Sequence, residues 1–307
     1  MILVAANPYR GADRPRARVA ALTAALRYAG LPPRVVWDGG ERAVLLGDPA
    51  ALAGVRCVVA AGGDGTVAAV INELAADVPL AVLPGGNENV FARALGFGAE
   101  PAALASAIAA GRRRRIDLGR ARTSTGPRRF GLMLSAGFDA DVVHRVARRR
   151  TAGGQARRVG RAHYLGPLGA ALWAYPHAPV SVTADGVTAA GVHCVISNLP
   201  GYALALSLTP AARVDDGLLD WVVFERRGRA ALAAYAWAIA RARHGALAHV
   251  RQGAGPPPHP DRRRAGARAA RRRAGGLHAG RGRGAAVGAV DRDGMIGSLS
   301  ARFTRER

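Results

Sequence analysis

A glycine-rich turn between a predicted strand and a predicted helix constrains the fold of this chain more than any other segment. The turn reads Gly62-Gly63-Asp64-Gly65-Thr66. Residues 55–60 before it are an apolar run typical of a buried strand, and residues 67–74 after it are typical of a helix. Strand, glycine turn and helix in this order direct backbone N–H groups at an anion such as phosphate. Glycine permits the close backbone approach that a Cβ would block.

A second glycine-rich turn follows the next apolar run, residues 80–83, and opens another helix. It reads Pro84-Gly85-Gly86-Asn87-Glu88-Asn89. Open α/β sheets bind ligands in the crevice at the carboxyl ends of their strands. Because both turns follow successive strands, we expect them to converge on one ligand site.

The alternation of strands and helices predicts an α/β domain over residues 1–118, with a parallel sheet covered on both faces. Its strands are predicted at residues 2–6, 34–37, 55–60 and 80–83, and its helices at 16–28, 67–74 and 101–110. Beyond it the pattern changes to short β-like runs at residues 131–135, 180–184, 191–197 and 218–224, with helices near 165–174 and 229–242. With Asp185-Gly186 as a turn signal, this predicts a mostly antiparallel, β-rich second domain over residues 119–250.

Composition narrows the class of protein. Every basic side chain is arginine, and the formal net charge is +23. No apolar run approaches the length of a membrane span, and no basic leader of a secretory signal precedes the first strand, so we expect a cytoplasmic protein. Cys57 and Cys194 lie in apolar strand-like runs, which favours reduced core cysteines over a disulfide or a metal site.

We see no nucleic-acid motif, and aromatic residues for base stacking are scarce.

Several ordered segments carry a resemblance to a known family. The two glycine turns, together with Asn7-Pro8-Tyr9-Arg10-Gly11, Ile116-Asp117-Leu118-Gly119, Ser135-Ala136-Gly137-Phe138-Asp139-Ala140 and Asp215-Asp216-Gly217-Leu218-Leu219-Asp220, resemble the diacylglycerol kinase catalytic domain. Bacterial lipid kinases, sphingosine kinases and ceramide kinases share this domain. NAD kinases also have the first turn, but the later segments fit the lipid kinases better. The resemblance covers roughly residues 1–250 and implies a diacylglycerol-kinase-like, NAD-kinase-like fold.

The resemblance also implies a nucleotide site that uses ATP and Mg²⁺. The residues it assigns to the nucleotide are Asn7, Gly62, Gly63, Asp64, Gly65, Thr66, Gly86, Asn87 and Asn89. A structural magnesium would bind the Asp216 carboxylate and backbone carbonyls such as that of Leu218. Two alternatives stay open: Asp64 as a helix N-cap and Asp216 as a turn aspartate.

Four positions of the nucleotide site, Ala68, Ala69, Asn87 and Glu88, depart from the family. Ala68 and Ala69 replace a common Asn-Glu pair, and Asn87 replaces a threonine. The Glu88 carboxylate would repel a phosphate unless a cation lies between them. Alternatively, it is a first-turn carboxylate that is stabilised by the positive end of the helix dipole.

The resemblance predicts an ATP-dependent lipid kinase that transfers a γ-phosphoryl group to a hydroxyl of a diacylglycerol-like or sphingoid acceptor. The alternatives are an inactive nucleotide- or lipid-binding regulatory homologue and an NAD kinase. We expect a lipid alcohol as substrate, transient contact with an anionic membrane surface at the inner face, and no specific nucleic acid. A homodimer is left open.

The segment 251–307 is rich in Arg, Gly, Ala and Pro and predicts disorder, because it cannot bury enough apolar surface. The family should here finish its second domain and carry its catalytic acid in a "DGE" segment. That segment is absent, so no catalytic residue is assigned. A basic tail is one interpretation, and a reading-frame shift in a GC-rich gene is the other. If Arg271-Arg272-Arg273-Ala274 is encoded CGA-CGG-CGA-GCC, one of its possible encodings, a shift by one base gives Asp-Gly-Glu-Pro. Without the last strands, we expect the strands near 192–197 and 218–224 to have unpaired edges and the chain to aggregate.

Overall fold

The chain folds into two compact units with separate cores. The computed structural model describes residues 1–7, 13–123, 126–151, 166, 169–170, 173, 175, 179–184, 187–202, 206–255, 286–290 and 296–297. The first unit comprises Met1–Arg115, Ala140–Tyr175 and Gly201–Ser207, and the second comprises Ile116–Asp139, Pro176–Pro200 and Leu208–Arg307. The sequence predicts two consecutive domains, whereas the two units interleave along the chain.

The first unit is built on a parallel sheet of four strands in the order β2-β1-β3-β4. The strands are β1 (Ile2–Ala6), β2 (Pro33–Val36), β3 (Cys57–Gly62) and β4 (Leu80–Pro84). The helices are α1 (Asp13–Tyr28), α2 (Gly39–Gly47), α3 (Asp64–Glu73), α4 (Val90–Ala94) and α5 (Pro101–Ala109). All four predicted strands are confirmed, and α4 is the helix that the second glycine turn was predicted to open; α2 was not predicted.

Alternation along the strands explains the core of this unit. Every residue of β1 and β3 is buried, as expected for a parallel sheet covered on both faces. One face carries Ile2, Val4, Cys57 and Val59, which pack with Leu22 and Leu26 of α1 and with Leu104 and Ile108 of α5. The opposite face carries Leu3 and Val58, which are equally buried. This arrangement confirms the predicted α/β architecture.

The second unit contains two packed sheets and a hairpin. One sheet has the antiparallel order β12-β11-β10-β7, with β7 (Met133–Gly137), β10 (His193–Ser197), β11 (Leu219–Phe224) and β12 (Val250–Gly255). The other has the order β14-β13-β8-β9, with β8 (Val180–Ala184), β9 (Val187–Gly191), β13 (Ala286–Val290) and β14 (Ile296–Gly297). The hairpin is β5 (Gly119–Thr123) with β6 (Gly126–Phe130). The helices are α6 (Phe138–Thr151), which continues into the first unit, and α7 (Arg229–Ala240).

The core of the second unit lies between its two sheets. Val180 and Val182 of β8 pack with Ile196 of β10 and with Trp221 and Val223 of β11. The predicted antiparallel, β-rich character of this part is confirmed. Of the predicted turn between β8 and β9, Asp185 and Gly186 lie outside the described residues, but Ala184 pairs with Val187 as a two-residue hairpin requires.

The expectation of unpaired strand edges is wrong. Strand β10 pairs with β7 and β11, and β11 pairs with β10 and β12. All residues of both strands are buried. The missing partner is supplied by β12, at the border of the segment that the sequence assigns to the tail. The physical basis for the predicted aggregation is therefore removed.

The described parts of the tail are strands. Residues 251–255 belong to β12, so the second unit extends beyond the predicted boundary at 250. Strand β13 pairs antiparallel with β8. Residues 256–285, 291–295 and 298–307 lie outside the described residues, so the disorder and the frame shift stay predictions. Most of the predicted helix 165–174 also lies outside them.

Both cysteines are buried and free, as predicted. Burial raises the pKa of Cys57 to about 11 and that of Cys194 to about 12, so both thiols are protonated at neutral pH. None of the helices in the described ranges is long and apolar enough to cross a membrane.

Candidate functional site

The two glycine-rich turns lie side by side at the carboxyl ends of β3 and β4. The ladder between these strands pairs Gly62 with Pro84. It continues into the turns, where the Gly85 amide donates to the Gly62 carbonyl at 2.8 Å. The convergence expected for successive parallel strands is therefore observed.

Three glycines of these turns are required by contacts inside the protein. A Cβ on Gly86 would lie 2.7 Å from the Cα of Gly63, and a Cβ on Gly63 would lie 3.0 Å from the Cα of Gly86. A Cβ on Gly62 would collide with the side chain of Thr66. Larger residues would force the two turns apart, so these glycines serve the packing of the turns.

Gly65 is different, because it is exposed and faces open space. A Cβ built on Gly65 meets no described protein atom within 4 Å, and the backbone there is not left-handed. The fold itself does not require glycine at this position. The open volume above it is where a bound group can approach the first turn of α3.

The N-terminus of α3 provides donors for such a group. Its N-cap residue is Gly63, and no side chain caps this end. The first amides of a helix have no acceptor within the helix, and the helix dipole adds a partial positive charge there. The arrangement therefore fits an anion such as a phosphate.

Asp64 connects the two turns. Its carboxylate accepts hydrogen bonds from the amide of Val90 at 3.0 Å and from the amide of Phe91 at 2.9 Å. The helix that it caps is α4, although Asp64 itself belongs to α3. The alternative of Asp64 as the N-cap of its own helix is wrong, because Gly63 is the N-cap of α3 and the Asp64 carboxylate binds the first amides of α4 instead. The role of Asp64 toward a nucleotide stays a prediction.

Asn89 shapes the second turn. It has left-handed backbone angles, φ 46° and ψ 46°, which asparagine tolerates better than most residues. Its side chain accepts from the Gly86 amide and donates to the Gly86 carbonyl, both at 2.8 Å. Asn89 thus holds Gly86 against Gly63. In the same turn Asn87 is exposed and Glu88 is half-buried.

Asn7 and Thr66 meet beneath the first turn. Nδ2 of Asn7 donates to Oγ1 of Thr66 at 3.0 Å, and the Asn7 amide donates to the Ala61 carbonyl at 3.1 Å. Thr66 is only 3% exposed, so its hydroxyl faces the interior. In this structure the pair supports the turn from below.

A small pocket opens beside the turns, and several of its lining residues lie outside the sequence motifs. It is lined by residues including Asn7, Gly62 and Gly85 of the predicted site, and also by Arg18 and Trp37. The Arg18 guanidinium donates to the carbonyls of Pro84 and Ala99, which anchors the second turn to α1. Nothing in the local sequence around Arg18 indicates this contact, because its partners are distant in the chain.

The predicted metal residues belong to the second unit. The Asp216 carboxylate accepts the Leu218 amide at 3.0 Å, which is the turn geometry of the alternative interpretation. The Asp117 carboxylate accepts the preceding amide, that of Gly217, at 2.6 Å. Burial, and then the charge of Asp216, raise the pKa of Asp220 to about 6.

The carboxylates of these aspartates and the Leu218 carbonyl are hard oxygen donors, which is the type of ligand that Mg²⁺ prefers. The described residues contain no group of three or more His, Cys, Asp or Glu that could hold a metal ion. Magnesium at Asp216 and Leu218 therefore stays a prediction.

Comparisons with protein families match almost the whole described chain. Residues 1–121 match the diacylglycerol kinase catalytic domain, and residues 132–256 match the YegS C-terminal NAD kinase beta sandwich-like domain. The border between the two matches falls near the predicted end of the first domain.

Individual relatives agree with these matches. A probable lipid kinase YegS-like of Pseudomonas aeruginosa (strain UCBPP-PA14) is 34% identical over 225 residues, which is 72% of this chain and 70% of the relative. A protein of the same name from Chromohalobacter salexigens is 32% identical over 64% of this chain and 63% of its own length. A diacylglycerol kinase of Mycobacterium tuberculosis (strain ATCC 25618 / H37Rv) is 31% identical over 58% of each chain.

Among solved structures, a putative diacylglycerol kinase from Bacillus anthracis superposes with a TM-score of 0.65 at 20% identity. The superposition covers 99% of this chain and 91% of that one. At this identity, the likeness shows that the two chains share a fold.

Proposed function

Because this chain belongs to the diacylglycerol kinase catalytic domain family of lipid kinases, we propose that it transfers the γ-phosphoryl group of ATP to a lipid hydroxyl. The observation that supports ATP as donor is the open space over Gly65 at the uncapped N-terminus of α3. Phosphoryl transfer depends mainly on positioning and on neutralising charge, which a rigid cradle of backbone amides can serve.

The residues around the cradle have positioning roles in this proposal. The amides at the start of α3 bind phosphate oxygens, while Asp64 and Asn89 hold the second turn against the first. Asn7 and Thr66 support the first turn from the interior. Magnesium, when bound, neutralises charge on the phosphate oxygens. A further ion held by Asp216 and the Leu218 carbonyl would stabilise the turn before β11.

The acceptor in this proposal is a primary hydroxyl of a diacylglycerol-like or sphingoid lipid. The names of the relatives support a lipid acceptor in general. The general base is not assigned, since no Asp-Gly-Glu segment stands in the sequence. We expect the protein to act at the inner membrane face, without a specific nucleic-acid partner.

The substitution Gly65→Ala tests the phosphate cradle. A methyl group at this site meets no described protein atom within 4 Å and favours the helix, so the fold should be kept. The same methyl occupies the space proposed for phosphate, so the affinity for Mg-ATP should fall at least about tenfold, or about 1.4 kcal/mol. The measurement is Mg-ATP binding by calorimetry together with the denaturation midpoint.

Gly98→Ala is the matched control, because a Cβ at Gly98 also meets open space. It should bind Mg-ATP like the wild type. Equal affinity of Gly65→Ala and the control would show that phosphate does not bind at this turn.

The missing Asp-Gly-Glu segment favours one alternative, a nucleotide-binding homologue without kinase activity. Turnover of ATP with a lipid acceptor in mixed micelles separates the two functions. Binding of Mg-ATP without any transfer would support the inactive homologue, and transfer to NAD instead of lipid would support an NAD kinase.

A further inference from the structure

Helix α7 is held firmly against the second unit by one face. Leu232, Tyr235 and Ala238 are its buried residues. The ring of Tyr235 contacts Phe224 of β11 edge to face at a centroid distance of 4.8 Å, and its hydroxyl accepts the Arg226 amide at 2.9 Å. The orientation of α7 is therefore fixed, and the residues on its other side point outward.

After its first residue, the exposed Arg229, the outward side of α7 carries small uncharged residues and one large aromatic residue. Trp237 is 58% exposed. The other exposed positions between residues 230 and 240 are alanines, namely Ala230, Ala233, Ala234, Ala236 and Ala240. Because the neighbouring side chains are small, the indole of Trp237 protrudes from the helix surface and can insert into a nonpolar environment.

Arginines flank this side at both ends. Arg226 and Arg227 before the helix and Arg241 and Arg243 after it are exposed. The guanidinium carbon of Arg241 lies 3.9 Å from the centroid of the Trp237 ring. Residues 226–249 include no Asp or Glu, so no acidic residue of this segment neutralises the arginines.

The nearest acidic residue along the chain is already paired. Glu225 accepts from Arg251 of β12 at 2.9 Å. We define the α7 face as Trp237 with its neighbouring outward alanines, together with Arg226, Arg227, Arg241 and Arg243.

We propose that the α7 face binds the surface of an anionic lipid bilayer. Tryptophan prefers the interface between hydrocarbon and water, where its ring is buried and its N–H stays hydrated. Each arginine near an anionic surface adds Coulomb attraction, and arginine lets its stem lie along the interface. The combination of an aromatic residue with arginines is typical of helices that lie on membranes.

A second copy of the chain suits this face poorly. A two-fold dimer through α7 would bring the same arginines of both copies together, and like charges repel. The proposal rests on the proposed function, because a lipid acceptor is presented by a membrane, but the binding itself requires no catalysis.

Flotation with vesicles tests the proposal on the full chain. Vesicles of phosphatidylcholine with phosphatidylglycerol should bind the protein, and vesicles of phosphatidylcholine alone should bind it much less. The double variant Arg241→Gln/Arg243→Gln should reduce partitioning by about fivefold for each arginine removed. Trp237→Ala should also reduce partitioning, and added salt should weaken wild-type binding.

Arg27→Gln/Tyr28→Ala is the matched control, since Arg27 and Tyr28 are an exposed arginine and an exposed aromatic residue on α1. This variant should float like the wild type. Wild-type flotation of the α7 variants would overturn the proposal, as would an equal loss in the control. A lipid-free dimer that Trp237→Ala dissociates would overturn it in favour of self-association.

Activity in neutral detergent micelles separates this proposal from the kinase proposal. The α7 variants should phosphorylate a micellar acceptor at the wild-type rate and lose activity only on anionic vesicles. A protein that floats with anionic vesicles through α7 but transfers no phosphate would support the α7 face and contradict the kinase proposal. If the α7 variants transferred phosphate on anionic vesicles as fast as the wild type, the result would support the kinase proposal and contradict the α7 face.

Discussion

Asp64 is a charged side chain whose structural role is now defined by its contacts. It accepts the amides of Val90 and Phe91 and thereby ties the second glycine turn to the first. A carboxylate at a helix N-terminus is stabilised by the amides and by the helix dipole. Any contribution of Asp64 to Mg-ATP binding therefore acts together with its effect on the position of α4.

The substitution Asp64→Ala removes both hydrogen bonds, so we expect a loss of about 1–2 kcal/mol in the free energy of unfolding. We also expect weaker Mg-ATP binding, because the two turns are no longer held together. Denaturant unfolding and calorimetry on the same variant measure the two effects.

The control for this experiment is Asp38→Ala, which removes a comparable cap from α2, where Asp38 accepts the Glu41 amide at 2.8 Å. It should lose a similar amount of stability and keep its affinity for Mg-ATP. Unchanged affinity in Asp64→Ala would show that Asp64 has no part in the nucleotide site.

Among the elements, β10 carries a buried titratable group between two neighbouring strands. Nδ1 of His193 lies 3.1 Å from the Ala136 carbonyl of β7, and the ring stacks on Phe224 of β11 at 5.3 Å. Burial lowers the pKa of His193, and the charge of Asp139 opposes this effect to a smaller extent. Folding therefore favours the neutral imidazole.

A lowered pKa in the folded state gives a definite pH dependence. The unfolded chain binds a proton at His193 below about pH 6.5 while the folded chain does not, so stability is kept above that pH and lost as the pH falls. We expect His193→Gln to flatten the fall of the unfolding midpoint between about pH 7.5 and 5.5.

The exposed His144 provides the comparison, and His144→Gln should leave the pH profile as in the wild type. A His193→Gln profile as steep as that of the wild type would assign the pH dependence to other groups.

For the whole molecule, the segment after β12 decides whether the second unit is complete. Strand β13 from this segment pairs with β8, so the sheet accepts a strand at that position. A frame-corrected segment would supply longer apolar strands there, together with Asp-Gly-Glu. Strands β10 and β11 pair with β7, with each other and with β12, so these two strands do not depend on this segment for their backbone hydrogen bonds.

We expect a single-base correction upstream of codon 271 to restore Asp-Gly-Glu-Pro and a hydrophobic strand pattern. Determination of the nucleotide sequence around codons 245–275 is the test. If neither shifted frame encodes this segment, the frame shift is excluded and the arginine-rich tail is genuine. If one shifted frame does encode it, the frame-corrected chain and the present chain should be compared for phosphoryl transfer to a lipid acceptor.

The local pattern of apolar residues and glycines was sufficient to predict the parallel sheet and the two glycine turns. Strands β1, β3 and β4 were placed to within a few residues, because continuous apolar runs bounded by glycine leave few alternatives. Helix α2 and hairpin β5–β6 were not predicted, because they lack a strong apolar period. The hairpin strands in particular contain several arginines and glycines, a composition that is typical of a loop.

The order of the strands and helices, the two glycine turns and the family of the protein follow from the amino-acid sequence alone. These features depend on residues close together in the chain, where backbone sterics and hydrophobic period act directly. Three features required the folded structure: Asp64 caps α4, Arg18 binds the Pro84 carbonyl, and Trp237 lies on an exposed surface. Those contacts join distant residues or depend on which helix face is covered, so packing rather than local pattern determines them.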